Sequence, residues 1–585
     1  MTTPSPAQAA WAALMGAGGA QDRTPGETRT ADLPAPTSVR AVTGRDQVTV
    51  TWDPVPGAIG YAVYRADTAD GPFTVADFGG GDVLAVPHGP FADTTDTRGG
   101  CYAVAALATV TALGPLSAPA PVTDGDTSAQ VQITIGATGT PIHRLWRAMI
   151  GSEHLTHLLS TDHTGGRPIG TGLHDALARA HHELHIAEVR AHGILSAPFD
   201  QVDTVYDQIL ALGYRPVVEL GFMPPDLARD PTQTVFAYEG IISPPADWDR
   251  WAGHLRAFAA HLADRYGHDE ISHWKFEVWN EANLSVFWSG TPDEYWRLYD
   301  TTAAALAPLA VGGPATAAAG WITEQTTRDN VAFLSTHVYG TAPLDLRPLA
   351  GGKPLLWTEW GVTATHGHPI NDSVFAATFL LRGMRSAAGR VDALAPWVIS
   401  DHFEELGRPQ RLIHGGFGLL TVGNLAKPKY WALRLLDRLG DTELPVTATG
   451  DGAGSLIQAW AATSAPGTTS VLIWNGTLDQ SKAGGTPGLD RLVRLQVPGH
   501  APGTDCQART WRVDQRHNNV AARWAALGGG ADWPDDDQWH TLTADDRLDE
   551  AEPARTLTAG PDGTLTLELD LPNPGIALIE IQPKP

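Results

Sequence analysis

Apolar and polar positions change their rhythm three times along the chain. The first 32 residues are rich in Ala, Gly, Thr and Pro without sustained periodicity, which predicts a flexible leader, with a short helix around residues 7–14. From Pro34 the pattern alternates. Residues 47–52 read as a strand, Asp53-Pro54 as a turn, and 61–65 and 101–105 as further strands. Short strands separated by turn residues predict a small β-sandwich over 33–124. Within 125–440, continuous apolar runs alternate with amphipathic helical stretches. The runs lie at 145–150, 187–192, 216–220, 276–280, 310–313, 333–338, 355–358 and 396–400. Eight such strands with helices between them predict an α/β fold of the (β/α)₈, or TIM barrel, type, whose parallel strands are buried on both sides. Residues 441–585 return to short strand-like runs, which predict a second β-sandwich.

Composition narrows the partners. A chain of 585 residues is too long for one core. Its formal net charge of −25 argues against a phosphate-tracking surface, so no nucleic-acid partner is expected. No apolar run is long enough to span a membrane. No Lys or Arg precedes Arg23, so the apolar stretch near the N-terminus lacks the basic flank of a secretory signal, and the chain reads as cytoplasmic. Cys101 and Cys506 sit towards opposite ends and read as free thiols.

Two of the barrel strands lead to carboxylates. Phe276-Glu277-Val278-Trp279-Asn280-Glu281 and Leu355-Leu356-Trp357-Thr358-Glu359-Trp360 are apolar, aromatic runs that deliver one Glu each at the C-terminal end of strands four and seven. Catalytic groups of such barrels gather at that end. Cleavage of a glycosidic bond needs such a pair: one acid to protonate the leaving oxygen, one carboxylate to attack or to activate water. Two carboxyl groups about 5 Å apart repel by roughly 3 kcal/mol at an effective dielectric near 20, about two pKa units, so one can stay protonated while the other is ionised. Arg190 and His192 share one face of strand two by period-2 spacing. His337 and Tyr339 do the same at the end of strand six; His337 alone reads first as a satisfied core histidine. Trp288, Trp360 and Trp397 are either flat faces for a sugar ring or ordinary core.

Five stretches in order resemble glycoside hydrolase family 39, which contains β-xylosidases and α-L-iduronidases. They are Arg190-Ala191-His192-Gly193-Ile194-Leu195; Tyr206-Asp207-Gln208-Ile209 with Val218-Glu219-Leu220-Gly221-Phe222-Met223-Pro224; 276–288; Thr358-Glu359-Trp360; and Ser400-Asp401-His402-Phe403-Glu404-Glu405 with His414-Gly415-Gly416-Phe417-Gly418-Leu419. The resemblance extends to Arg512-Val513-Asp514 and Asn518-Asn519. It implies a retaining exo-glycosidase with Glu281 as acid/base and Glu359 as nucleophile, Asn280 on the sugar 2-hydroxyl, and His337 and Tyr339 in the pocket. Arg190 and His192 would orient carboxylate and sugar. The chain departs from the family pattern at Ala282, where Pro is usual, and at Gly361, where Asn is common. Trp52, Tyr64 and Tyr102 are placed as in a fibronectin type III module, whose role reads as a spacer.

The expected substrate is an oligosaccharide or glycoside with a neutral terminal sugar, first a β-D-xyloside, without cofactor or metal. Tyr339 stands where the iduronidase pattern offers a Lys, and Glu404 and Glu405 add negative charge, so a uronate is disfavoured. Arabinosides and galactosides stay open, and a non-catalytic carbohydrate-binding protein is the rival from another class. His181-His182-Glu183-Leu184-His185 misses the His-Glu-x-x-His zinc spacing by one residue, and Phe78-Gly79-Gly80-Gly81 lacks the ending of a phosphate loop.

Overall fold

The computed structural model describes residues 28–29, 32–76, 78, 81–95, 99–464, 467–530 and 532–584. The helix expected at 7–14 lies outside them, with nearly all of the leader and with Gly79 and Gly80 of the glycine run.

Eight parallel strands follow one another around a nearly closed barrel: β1 Met149–Gly151, β2 Glu188–Ala191, β3 Arg215–Glu219, β4 Lys275–Glu277, β5 Ala310–Ala317, β6 Leu334–Tyr339, β7 Leu355–Gly361 and β8 Ala393–Pro396. Past β8, the Ile399 N–H donates to the Gly151 carbonyl at 2.9 Å and brings the last strand back to the first. Two expected strands are displaced. Residues 145–147 form a 3₁₀ turn that buries Leu145 and Trp146, so β1 starts at Met149. β8 ends where a strand at 396–400 was expected to begin, because the chain turns inward at Trp397.

Helices Ile169–Leu184, Phe199–Ala211, Trp248–Tyr266, Pro292–Leu306 and Val374–Ala387 pack outside the barrel. The sequence sets their ends. Asp247 caps the third by accepting from the N–H groups of Asp249 and Arg250, and Thr291 with Glu294 forms a reciprocal capping box on the fourth. The histidine-rich stretch closes the first helix, with His185 in the left-handed conformation at its C-cap. His181 meets the Ile186 carbonyl and His185 meets Asp437, so these rings turn to different partners. At the bottom of the barrel Met149, Val217, Phe333, Leu356, Ala393 and Ala395 fill the interior; above this plug the side chains become polar.

β-rich regions flank the barrel. Towards the N-terminus, Arg40–Gly44, Gln47–Thr51 and Phe91–Asp93 pair antiparallel, as do Gly60–Ala66 and Cys101–Thr109, and Ala120–Thr123 joins the two groups. Val48, Val50, Tyr61, Val63, Phe91 and Tyr102 share one core there. Towards the C-terminus, a four-stranded and a seven-stranded sheet bury a common core that includes Val493, Leu495, Val471, Ile473 and Ile579. Gln130–Ile135, counted with the barrel in the sequence reading, pairs parallel with Arg491–Val497 in the four-stranded sheet. Its alternating burial is that of a strand with one wet face, unlike the barrel strands. Where only strands were expected, Val520–Ala526 and Asp536–Ala544 are helices, held by Trp524, Trp539 and Leu542 against Leu412 and Leu425. No helix among the described residues is long and apolar enough to cross a membrane.

The connection after β8 is fixed by a buried cation. Lys427 Nζ lies 2.5 Å from Asp372 Oδ1 and 2.6 Å from Asp401 Oδ2, and donates to the Gly416 carbonyl at 2.9 Å. Removing one partner of a buried ion network strands the others, at about 3–5 kcal/mol. Lys427→Met should lower unfolding stability in urea by about that much; a change within about 0.5 kcal/mol would show that the three groups do not depend on one another.

Candidate active site

Arg190 stands at the top of β2, fully buried, and its fork reaches four acceptors. Nε donates to Glu277 at 2.6 Å, Nη1 to Glu359 at 2.6 Å and Nη2 to Asn280 Oδ1 at 2.9 Å, with Glu219 2.7 Å from Nη2. Burial opposes a charged guanidinium, but Glu277, Glu219 and Glu359 together raise its pKa above the ordinary value. Strand register explains the gathering. Glu219 and Glu277 are partners across β3 and β4, and Arg190 faces Val217 one inward step below.

His192, one inward step further along, places Nδ1 2.6 Å from Glu219 Oε2, and its Nε2 lies 3.7 Å from both Glu359 and Glu405. Burial alone would neutralise it, yet Glu219, helped by Glu405, lifts its pKa to about 10. His192 is therefore an imidazolium at neutral pH. The carboxyl of Glu405 is itself pushed up to about 7 by burial.

Glu359 and Glu281 occupy opposite surroundings. Glu359 accepts from Arg190 and, at 2.7 Å, from Tyr339 Oη; burial leaves its pKa above the ordinary carboxylate value, although Arg190, His192 and Tyr339 hold it down. Among the described residues no Lys or Arg lies within 4.0 Å of Glu281, whose neighbour is the His337 ring, and burial, Glu359 and Asp82 push its pKa well above the carboxylate range. His337, driven below its ordinary value by burial, Arg190 and His192, is neutral. Its tautomer follows from its neighbours. Thr358 Oγ1 gives its hydrogen to the Glu277 carboxylate at 2.8 Å, so His337 Nε2, 3.1 Å away, must be the donor to Thr358. His337 Nδ1 is then an acceptor, and Glu281 Oε1 at 3.0 Å must carry the proton they share. The chain Glu281–His337–Thr358–Glu277 thus assigns a protonated carboxyl to Glu281 from hydrogen-bond direction, in agreement with its raised pKa.

Local backbone aims these groups. A register shift between Thr336 and His337 sets His337 opposite Glu359, so the consecutive Thr358 and Glu359 both serve the site. Trp279 (φ 68°) and Glu281 (φ 44°) adopt the left-handed region, uncommon for such residues and typical of strained functional turns.

A small pocket of about 20 Å³ opens over the pair, with His192, Asn280, Glu281, Tyr339, Glu359, Trp397 and Glu405 on its wall. Phe236, Phe287 and Phe417 complete it. Trp397 lies 4.9 Å from His192, centroid to centroid. Three expected residues stand elsewhere. Trp288 packs edge-on to Trp279 and donates to the Thr291 carbonyl. Trp360, next to Glu359, points the other way and stacks on Phe379 of the outer helix at 5.0 Å. Glu404 turns away to Arg408 and His157. Glu281, His337 and Glu359 each offer an atom within 4.8 Å of the others, a triangle that could hold a metal ion. The charges of Arg190 and His192 beside Glu359 make it a poor cation site.

Sequence reasoning gave no role to Glu219, Glu277 or Thr358, nor to Asp82. Asp82 belongs to the N-terminal β-rich region, yet its carboxylate accepts from the Tyr339 N–H at 2.7 Å and its N–H donates to the Tyr339 carbonyl at 2.7 Å. A buried Glu inside an apolar run is the signal that could have exposed the first two, since such a charge requires a partner. Nothing local signals Asp82.

Residues 129–349 and 346–559 match the family described as Glycosyl hydrolases family 39. The chain belongs to this family. It is a glycoside hydrolase. It is 32% identical over 370 residues to a β-xylosidase of Caldicellulosiruptor saccharolyticus, covering 54% of this chain and 73% of that protein. A β-xylosidase of Geobacillus stearothermophilus is 28% identical over 506 residues, 75% of this chain and 92% of that one. The crystal structure of a family 39 enzyme from Xanthomonas axonopodis pv. citri superposes with a TM-score of 0.66 at 25% identity, over 77% of this chain and 97% of that one.

An ammonium cannot reproduce a planar fork that serves acceptors on β3, β4 and β7 at once. Arg190→Lys should destabilise the fold by about 3–5 kcal/mol and lower glycoside turnover roughly hundredfold, the typical effect of a carboxylate misplaced by about 1 Å. Urea unfolding and steady-state kinetics check the two effects; near-normal turnover would remove Arg190 from the positioning of Glu359.

Proposed function

We propose that the protein is a retaining, exo-acting glycosidase, a β-D-xylosidase, with Glu281 as acid/base and Glu359 as nucleophile. The observation that carries this reading is the proton assignment: Glu281 holds a proton shared with neutral His337, while Glu359 is ionised between Arg190, His192 and Tyr339. Their offered oxygens lie within 4.8 Å. That spacing supports attack by Glu359 on the sugar itself, because an inverting pair stands about 6.5–9.5 Å apart to admit a water.

In the first step Glu359 Oε attacks the anomeric carbon and the glycosidic C–O bond breaks, with the Glu281 proton passing to the leaving oxygen. In the second step Glu281, now a carboxylate, removes a proton from water as the water oxygen displaces Glu359. His337 Nδ1 accepts from Glu281 in the resting state and so keeps the proton on that carboxyl without itself taking charge. Asn280, held by Arg190, is suited to the sugar 2-hydroxyl, and Trp397 offers the ring a flat face.

A neutral pentose is favoured on charge. Glu359 and Glu405 line the pocket, Arg190 is spent on three carboxylates and His192 on Glu219, Glu359 and Glu405, so a substrate carboxylate would enter without a free cation to meet it, at a penalty of several kcal/mol. The β-xylosidases among the relatives support the same sugar. We further propose a fibronectin type III-like sandwich at 33–124, a catalytic barrel within 125–440 and a second sandwich at 441–585 completed by Gln130–Ile135.

Glu359→Ala should abolish nearly all turnover in a folded protein, and azide should restore formation of a glycosyl azide of the opposite anomeric configuration. Glu281→Ala should slow a disaccharide by about 10²–10⁴ while sparing formation of the glycosyl-enzyme from a dinitrophenyl glycoside; equal loss on both would deny Glu281 the acid role. Nitrophenyl β-xyloside should exceed an aryl α-L-iduronide in kcat/KM, and the reverse order would require a cation that the charge argument lacks. Asp82→Asn keeps an acceptor for Tyr339 but removes a charge that raises the Glu281 pKa. An acid with a lowered pKa loses its proton sooner, so the basic limb of the kcat/KM profile should move to lower pH; an unmoved limb would exclude Asp82 from the field at Glu281.

A further inference from the structure

A second cavity, about 480 Å³, lies where the N-terminal β-rich region, the outer helix Val374–Ala387 and the C-terminal sheets meet. It shares no wall residue with the catalytic pocket. Its charge is opposite to that of the chain. Arg382, Arg385, Arg390 and His88 line it and, among the described residues, no Asp or Glu does, in a protein with a net charge of −25.

Two of these guanidinium groups are incompletely balanced. Arg382 donates from Nη2 to the Ser455 and Gly476 carbonyls, and among the described residues no carboxylate oxygen lies within 4.0 Å of it. Burial without a counter-charge holds its pKa down, to about 10. Arg390 approaches Asp345 only at 4.0 Å, and its buried Nη1 has no hydrogen-bond partner among the described residues. Arg385 is paired, with Glu443 at 2.7 Å. A part-buried cation without an anion is expensive, and three around one void repel one another. The same wall holds an unused acceptor, since Gln458 gives its Nε2 hydrogen to the Gly454 carbonyl while its Oε1 is buried without a donor.

We propose that this cavity binds an anionic sugar, its carboxylate or phosphate between Arg382 and Arg390 and a hydroxyl donated to Gln458 Oε1. Guanidinium forks match planar carboxylates and phosphate oxygens alike, so the shared chemistry is an oxyanion carried on a polyol. The hydroxyl supplies what an inorganic anion lacks. Val86, His88 and Phe91 of the wall precede the family match, which begins at residue 129, so the site exists only with this chain's N-terminal region in place.

The test is calorimetric titration of the full chain with glucuronate, with glucose 6-phosphate and with neutral glucose, beside Arg382→Gln and Arg390→Gln. At least one anionic sugar should bind while glucose does not, and the tighter of the two names the oxyanion. Each substitution should weaken that binding about tenfold or more, the effect of one lost charge-assisted hydrogen bond. Arg390→Gln, at the more open part of the wall, carries the test if Arg382→Gln does not fold, and should leave aryl-glycoside kcat unchanged. The bound sugar should not compete with the aryl glycoside. Absence of heat with both anionic sugars, equal affinity in wild type and variants, or competitive inhibition would each overturn the proposal.

Discussion

Burying one guanidinium among carboxylates is the constraint on which the catalytic end of this barrel depends. Taken alone, none of Arg190, Glu219, Glu277 or Glu359 could stand charged in the interior. Together they fix one another, because the Arg190 fork has one planar geometry and its acceptors come from β3, β4, the turn after β4 and β7. The orientation of Glu359 is therefore set by strands that contribute no reacting atom. The apolar plug beneath, with Val217 and Phe333, forces this layer to solve its charge problem without water from below.

The same arrangement splits the two carboxyl groups by environment. Glu359 lies on the cationic side, against Arg190 and His192. Glu281 lies on the anionic side, facing Glu359 and Asp82, where a second negative charge is disfavoured. His337 could have blurred the difference by becoming charged. Burial and the two cations nearby keep it neutral, and Thr358 fixes its tautomer by passing its own hydrogen to Glu277. One group, Glu277, thus anchors both Arg190 and the far end of the Glu281 proton chain.

Sequence pattern carried this far and then failed for identifiable reasons. Continuous apolar runs located every barrel strand to within a few residues, because strands buried on both sides have no alternation to blur. Arg190 with His192, and His337 with Tyr339, share the site as period 2 suggests, although His192 lies one residue past β2. The same rule sends Trp360 outward from Glu359, and a platform role overlooked it. Thr358 broke the rule through a register shift that only neighbouring strands reveal. The N-terminal strands were legible too, but the joining of Gln130–Ile135 to a partner at Arg491–Val497 depends on pairing across the whole barrel, for which the chain offers no local sign.

Asp82 shows how far such distant pairing reaches into the chemistry. A spacer would touch the barrel only through its linker, whereas this region exchanges two hydrogen bonds with the backbone of Tyr339 and two more between Val83 and Thr341. Tyr339 then has little freedom: its backbone is held from outside, its hydroxyl is committed to Glu359, and its ring lies against Gly361. A Cβ at 361 would come within 3.3 Å of that ring. A larger residue at that position would therefore press on Tyr339, and Gly361 leaves room for the ring in the place Asp82 gives it. Two features, an N-terminal region that precedes the family match and a glycine two residues beyond Glu359, converge on the same tyrosine and so on the field that Glu359 feels.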